Sequence, residues 1–276
     1  MKIISWNVNG IRAVHKKGEL KNFLENYQPD IFCMQETKCK ENQITNIIEE
    51  FSKFTQFYTE AVKAGYSGTS IWISKNFIEK NEINRNNIKF ISGMSHFYKD
   101  NEGRISRIDF KKNEIEYSVL TVYFPNGGKS EEAWHEKLVF YKKFLEYVKY
   151  LEAKKSDGGL EKIVIFSGDV NTCHTEIDIA RPKQNEGKIG FHPLERAEIT
   201  NWIHSGFKDV WREKNMSVVD QYSWWSYRGG ARERNVGWRI DYFFTPESFL
   251  LNISEVGYIN AQMGSDHCPV FINVIL

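Results

Sequence analysis

The chain has 276 residues, of which 41% are hydrophobic, 14% aromatic and 26% charged. That composition excludes a disordered chain and supports a sizeable core under a solvated surface. A net charge of +1 neither marks nor excludes a nucleic-acid partner, because phosphate is bound by local charge.

Strand-like runs are predicted at 3–8, 30–35, 54–62, 69–74, 104–110 and 116–124, with a helical stretch at 20–26. Several of the runs alternate in and out, as strands with one buried face do. A long helix starts at Ser130, where Trp134, Leu138, Tyr141, Leu145 and Val148 recur at spacings of four and three, with Glu and Lys elsewhere. A buried strand follows at 163–167, ending in Gly168-Asp169. A second helix covers 193–204, and strands at 240–244, 255–259 and 268–274 complete the order. Two runs of strands, each followed by helix, point to packed sheets with helices outside rather than to a doubly wound parallel sheet. No linker-like stretch divides the chain, so one domain over 1–276 is expected.

Cys33, Cys39, Cys173 and Cys268 form no Cys-x-x-Cys pair and are expected as buried free thiols, not a zinc site. No secretory signal is expected, and no apolar run approaches the roughly 20 residues of a membrane span. The expectation is a cytoplasmic protein with no membrane partner.

Polar residues collect where the apolar runs stop. Asn7 and Asn9 follow the first run. Glu36 ends Ile31-Phe32-Cys33-Met34-Gln35. Tyr123 and Asn126 close another, Asp169 and Asn171 follow 163–168, Asp241 follows Trp238-Arg239-Ile240, and Asp266-His267 precedes the last strand. Singly, each has an ordinary explanation: a solvated Glu, a Gly-Asp turn, a structural His, a packed Tyr. Together they offer Glu36 to a hard divalent cation and Asp169, beside Asn171, as a base toward water. They also offer the His267 imidazole with Asp241 as its carboxylate, and the Tyr123 hydroxyl to a phosphate oxygen. That set suits metal-assisted phosphodiester hydrolysis. P-loop, Gly-x-Ser-x-Gly and His-Glu-x-x-His motifs are absent.

Residues 222–239 interleave Trp224, Trp225 and Trp238 with arginines, and 228–239 carry four Arg against one Glu. A flexible basic loop beside an aromatic pocket would contact phosphates and enclose a sugar or base. The ordinary alternative is a packed Trp cluster under a solvated loop. Lys63-Ala64-Gly65-Tyr66-Ser67-Gly68 is a second basic-aromatic element.

Along nearly its whole length the chain resembles the exonuclease III family of abasic-site endonucleases, of the deoxyribonuclease-I-like fold. The resemblance is carried by Ser5-Trp6-Asn7-Val8-Asn9-Gly10, Gln35-Glu36-Thr37-Lys38, Tyr123-Phe124-Pro125-Asn126, Gly168-Asp169-Val170-Asn171, Glu195-Arg196, Asn235-Val236-Gly237-Trp238-Arg239-x-Asp241 and Ser265-Asp266-His267. It implies a four-layered α/β sandwich, with two mixed sheets face to face and helices outside. It implies Glu36 as principal Mg²⁺ ligand (Mn²⁺ substituting), with Asn7, Asn9, Asp169, Asn171, Asp266 and His267 around the ion. Asp169 would activate water, and His267 with Asp241, and Tyr123, would act on the phosphate. Tyr66, Arg104, Asn126, Lys129, Asn185, Trp224, Arg228, Arg232 and Trp238 would contact double-stranded DNA. The implied reaction is incision 5′ to an abasic site, leaving 3′-hydroxyl and 5′-deoxyribose phosphate, with repair of blocked 3′ ends and 3′→5′ exonuclease activity, by a monomer. Asn9 stands where some relatives carry Asp, and Lys129 near where some carry Arg. The same fold also hosts lipid phosphatases and deadenylases, and an inactive DNA-binding module is the competing class.

Overall fold

The computed structural model describes residues 1–154, 159 and 161–276. In chain order its strands are β1 (Lys2–Asn7), β2 (Ile31–Gln35), β3 (Phe54–Thr59), β4 (Thr69–Ser74), β5 (Lys89–Ser92), β6 (Ile105–Lys112), β7 (Ile115–Tyr123), β8 (Glu161–Asp169), β9 (Phe207–Asp209), β10 (Asp241–Pro246), β11 (Ile253–Tyr258) and β12 (Val270–Val274). The α-helices are α1 (Ile11–Lys16), α2 (Glu19–Tyr27), α3 (Thr45–Glu50), α4 (Lys75–Lys80), α5 (Glu131–Ala153), α6 (Pro182–Asn185), α7 (Pro193–His204) and α8 (Val210–Lys214).

The strands form two six-stranded mixed sheets, ordered β11-β12-β1-β2-β4-β3 and β5-β6-β7-β8-β10-β9. Their inner faces share one core, in which Ile3, Ile31 and Ile71 of the first sheet meet Ile108, Val119 and Ile165 of the second. Outside the first sheet, Trp6, Phe32 and Trp72 pack on Phe23 of α2 and Ile47 of α3. Outside the second, Leu120, Val164 and Phe244 pack on α5 and on Trp202 of α7. The chain thus has the four-layered arrangement expected of it. Toward one end the inner face turns polar. Gln35 donates to Ser5 (2.9 Å) and across the sheets to Thr121 (2.6 Å), and Ser106 joins Thr59 and Thr69 at 2.7 and 2.9 Å. Buried hydrogen bonds of this kind between the sheets fix one relative to the other.

Several expectations shift. The strand expected over 54–62 stops at Thr59. The short elements β5 and β9 and five of the helices, each of six residues or fewer, carry too little periodicity to have been anticipated. The long helix does begin at Ser130, whose Oγ accepts from the Ala133 amide (3.2 Å), with Glu131 and Glu132 favourably placed in its first turn. Its buried stripe, however, is Lys137, Phe140, Tyr141, Phe144, Tyr147, Val148 and Leu151. Trp134, Leu138 and Leu145 sit at its margin, half-buried, and a lysine opens it. All four cysteines are buried and free.

Candidate active site

Strand register places the chemistry. In the second sheet Tyr123 at the end of β7 lies beside Asp169 at the end of β8, and Asp169 beside Asp241 at the start of antiparallel β10. In the first sheet, Asn7 ends β1 next to Gln35 of β2, so Glu36 emerges at the same edge. His267 lies three residues before β12, the antiparallel neighbour of β1. The polar ends of both sheets therefore open into one cleft of about 360 Å³, lined by Glu36, Tyr123, Asn126, Asp169, Asn171, Trp224, Trp238, Asp266 and His267 among others. The backbone here is unusual. Asn9, Glu36 and Asn171 hold φ of 45°, 51° and 56°, a left-handed conformation that asparagine tolerates but that is uncommon for glutamate. Gly168 is required at its position, since with φ +139° a Cβ would lie 2.0 Å from the Val122 carbonyl oxygen.

The Asn7 amide donates to both carboxylates, Glu36 at 3.0 Å and Asp169 at 2.9 Å. Asp169 also accepts from the Asn171 backbone N–H (2.8 Å) and side-chain amide (3.3 Å). Asn171 Oδ1 is taken by Asn126 (3.1 Å). The His267 ring meets Asp241 through Nδ1 at 2.8 Å and lies 3.8 Å from Asp169 through Nε2. Ser223 Oγ accepts the backbone N–H groups of Ile240 and Asp241, each at 3.0 Å. Asn9 donates to Asp266 (2.8 Å), whose other oxygen takes the Trp224 indole N–H (3.0 Å).

Burial pushes the Asp169 carboxyl up to about 7 against the pull of the imidazole, and the charges of Asp241 and Glu36 add to the rise. Burial draws the His267 imidazolium down, but Asp241 and Asp169 outweigh it and hold the ring's pKa up to about 10. The Tyr123 phenol is raised well above its usual range by burial, then by Glu36 and Asp169, so it stays a donor. Ligand atoms of Glu36, Asp169 and His267 lie within 4.8 Å of one another, close enough to hold a metal ion. A protonated imidazole has no free lone pair for a metal, so the two carboxylates are the donors that suit a hard cation. Glu36 accepts one bond from Asn7 and pairs with Lys38 (2.8 Å), which leaves its carboxylate with spare acceptor capacity.

The aromatic wall is built from the 222–239 segment. The Trp224 and Trp238 rings lie 5.7 Å apart at 77°, and backbone bridges join Trp224 to Trp238 and to His267. Gly190 closes against this wall, where a Cβ would fall 2.3 Å from the Trp238 ring. The flexible basic loop expected here is not what forms. Arg239 is fully buried between Asp178 (2.7 Å) and Asp209 (2.6 Å). Arg232 spends its guanidinium on the carbonyls of Ser265, Asn260 and Gln262 (3.0, 2.9 and 2.6 Å) and stacks on Trp225. Only Arg228 and Arg234 of the four face solvent.

Arg239 and Arg212 hold the buried Asp178 carboxyl far below the carboxylate range, despite the opposing effect of burial. Such a group stabilises the fold above its unfolded pKa, and the contribution drains away as the pH falls toward the depressed folded value. Asp178→Asn should therefore lower stability by about 3–5 kcal/mol at neutral pH. The gap between parent and variant should narrow below about pH 4. Thermal denaturation at pH 7 and pH 3 checks this, and an equal gap at both would contradict it.

The structure brings Asn7, Asn9, Glu36, Tyr123, Asn126, Asp169, Asn171, Trp224, Trp238, Asp241, Asp266 and His267 together. Tyr66 and Lys129 form a rim pair, with the ammonium 3.1 Å from the phenol oxygen and 4.3 Å over the ring. Arg104 departs from expectation. It is 4% exposed, bound to Glu102 and the Tyr123 carbonyl and stacked 5.0 Å from the Tyr123 ring, so it backs Tyr123 instead of facing a ligand. The Asn185 amide nitrogen is taken by the carbonyls of Ala180 and Arg181 (3.1 Å each). Sequence reasoning missed Lys38, which also donates to Asn9, Ser223, and Lys137 behind the cleft. The signal for Lys38 lay in Gln35-Glu36-Thr37-Lys38, two residues from the carboxylate.

Two sheets backed by helices, with carboxylates, amides and an imidazole at one shared edge, are the fold and site of a phosphoester-hydrolysing class of enzyme. Residues 4–267 match the Endonuclease/Exonuclease/phosphatase family, and the chain belongs to it. It is 38% identical over 270 residues to an exodeoxyribonuclease of Bacillus subtilis (strain 168), covering 98% of each. It is 33% identical over 272 residues to the DNA repair nuclease APEX1 of Danio rerio, covering 98% of this chain and 81% of that protein. Among solved structures, the AP endonuclease LMAP from Leishmania major superposes with TM-score 0.87 at 25% identity, over 100% of this chain and 87% of that one. A 3'-5' exonuclease (NExo) from Neisseria meningitidis shares the fold, with TM-score 0.81 at 21% identity and 100% of both chains covered. Among the described residues no helix is long and apolar enough to cross a membrane.

Proposed function

We propose that the chain is a Mg²⁺-dependent abasic-site endonuclease of base excision repair, its 276 residues forming one catalytic domain, with 3′-repair and 3′→5′ exonuclease activity on double-stranded DNA. What carries the reading is Glu36, Asp169 and His267 meeting in a cleft walled by Trp224 and Trp238. An abasic nucleotide has no base to unstack or unpair, so swinging its sugar into such a pocket costs little. The pocket's apolar faces suit a sugar, while Arg228, Asn126 and the Tyr66–Lys129 rim meet the flanking backbone.

Asp169, raised toward neutrality by burial, takes a proton from the attacking water, and Asn171 fixes that carboxylate from two sides. His267, kept protonated and oriented by Asp241, and the Tyr123 hydroxyl donate to non-bridging phosphate oxygens as negative charge develops on them. Water adds to phosphorus as the P–O3′ bond breaks with its electron pair going to the 3′ oxygen, which takes a proton from solvent, leaving a 3′-hydroxyl and a 5′-phosphorylated sugar. Glu36 and Asp169, with Asn7, Asn9 and Asp266 alongside, would hold the ion. Bound Mg²⁺, or Mn²⁺ in its place, would neutralise charge on the phosphate.

A nicking assay on a duplex with one tetrahydrofuran site, with and without EDTA, tests the reading. Incision 5′ to the site that EDTA abolishes is expected, whereas EDTA-insensitive binding without cleavage would point to an inactive DNA-binding module. In the same assay Trp224→Ala should lower the preference for the abasic duplex over intact duplex by about tenfold, the scale of one lost aromatic contact to a nucleotide. An unchanged preference would remove Trp224 from the pocket role.

A further inference from the structure

We propose that the buried Lys137–Glu195 ion pair is a positioning latch for the cleft, a role that rests on the nuclease reading above. Both side chains are 0% exposed. The Lys137 ammonium meets the Glu195 carboxylate and donates to the backbone carbonyls of Asn171 (2.9 Å) and Asn126 (3.3 Å). The other Glu195 oxygen accepts the backbone N–H groups of Gly190 (2.7 Å) and His192 (3.0 Å). One pair of charges thus ties three segments: the turn bearing Asn126, the turn bearing Asp169 and Asn171, and the Gly190 wall against Trp238. One helical turn on, the Tyr141 hydroxyl donates to the Val170 carbonyl (2.7 Å) and accepts from the Thr172 hydroxyl (2.8 Å), fixing the middle turn again from behind.

Filling this space with apolar side chains would avoid the desolvation of two charges, but would strand two carbonyls and two N–H groups. Such fixing holds Asn171 in one conformation, since φ of 56° is a left-handed state that asparagine tolerates but shares with the more populated right-handed and extended ones. Lys137 is in contact with no reacting atom in this scheme. It acts through Asn171 on Asp169, and Glu195 acts through Gly190 on the pocket.

The test compares Lys137→Met and Glu195→Gln with the parent in steady-state incision of the tetrahydrofuran duplex, after confirming native secondary structure and a Tm above the assay temperature. Lys137→Met should lower kcat by about thirtyfold, the scale of a sub-ångström misplacement of reacting groups, with KM within threefold. Glu195→Gln keeps an acceptor for Gly190 and His192 and should fold even if Lys137→Met does not. It should lower kcat by about tenfold, again at near-constant KM. Parent-like kcat in a folded variant, or a loss carried by KM, would overturn the latch while the nuclease reading stands. A parent chain that does not nick the duplex would sink both.

Discussion

Asp169→Asn should lower the turnover of abasic-site incision by about 10²–10⁴-fold, the range of a lost general base, while duplex affinity stays within a few-fold of the parent. The substitution is nearly isosteric, and an amide oxygen placed at the Oδ1 position still accepts the Asn171 backbone N–H (2.8 Å in the parent), so the turn is retained at the cost of the Asn7 bond to the other oxygen. What disappears is the proton acceptor, and with it one of the two carboxylates that would hold the ion. The pH profile separates this from a packing effect. The Asp169 carboxyl sits at about 7 because it is buried beside Asp241 and Glu36, and only its deprotonated form accepts a proton. Parent kcat should therefore climb as the pH rises through neutrality, and that limb should be missing from the variant. A bound divalent cation favours the ionised carboxylate and moves the limb to lower pH, so the profile should shift when Mg²⁺ is varied. Near-parent turnover in Asp169→Asn, measured by single-turnover quench with binding followed separately by fluorescence anisotropy, would strip Asp169 of this role.

The site was legible in the sequence because strand ends at one sheet edge are close in space wherever the register agrees. Asn7, Glu36, Tyr123, Asp169 and Asp241 each sit at or next to the end of an apolar run, and neighbouring strands bring them side by side. The basic segment was misjudged for a reason sequence cannot expose. Four arginines in twelve residues look like a phosphate-binding loop. Two of them are consumed by groups far away in the chain, Asp178 and Asp209 for Arg239 and the 260–265 carbonyls for Arg232. Arg104 was lost in the same way to Glu102 and Tyr123. On α5 the buried face runs through positions 137, 140, 141, 144, 147, 148 and 151, a broader stripe than the 134–148 series, and its only anomaly is Lys137. A charge on an apolar face is expensive unless paired, so that anomaly itself marked a buried partner.

Glu36→Gln should weaken divalent-cation binding by at least about tenfold and lower turnover by about 10²-fold or more, since a metal supplies several kcal/mol of charge stabilisation and each 1.36 kcal/mol is a factor of ten in rate. The fold should hardly notice. The Glu36 and Lys38 side chains are 16% and 30% exposed, and a pair that water reaches contributes about 0–1 kcal/mol. A glutamine still accepts from Asn7 (3.0 Å in the parent), so the strained φ of 51° at this position keeps one of its supports. The charge balance changes more. Lys38 stands against Glu36 and Asn9, and with the carboxylate gone its ammonium becomes the nearest charge and repels an incoming cation. Titration with Mn²⁺ followed by the electron-spin resonance of the free ion measures affinity without reference to catalysis, and nicking across a Mg²⁺ series measures the rest. A variant that is weak at low Mg²⁺ and partly recovers at high Mg²⁺ identifies Glu36 as a ligand. Parent-like Mn²⁺ affinity together with parent-like turnover would place the ion elsewhere in the cleft.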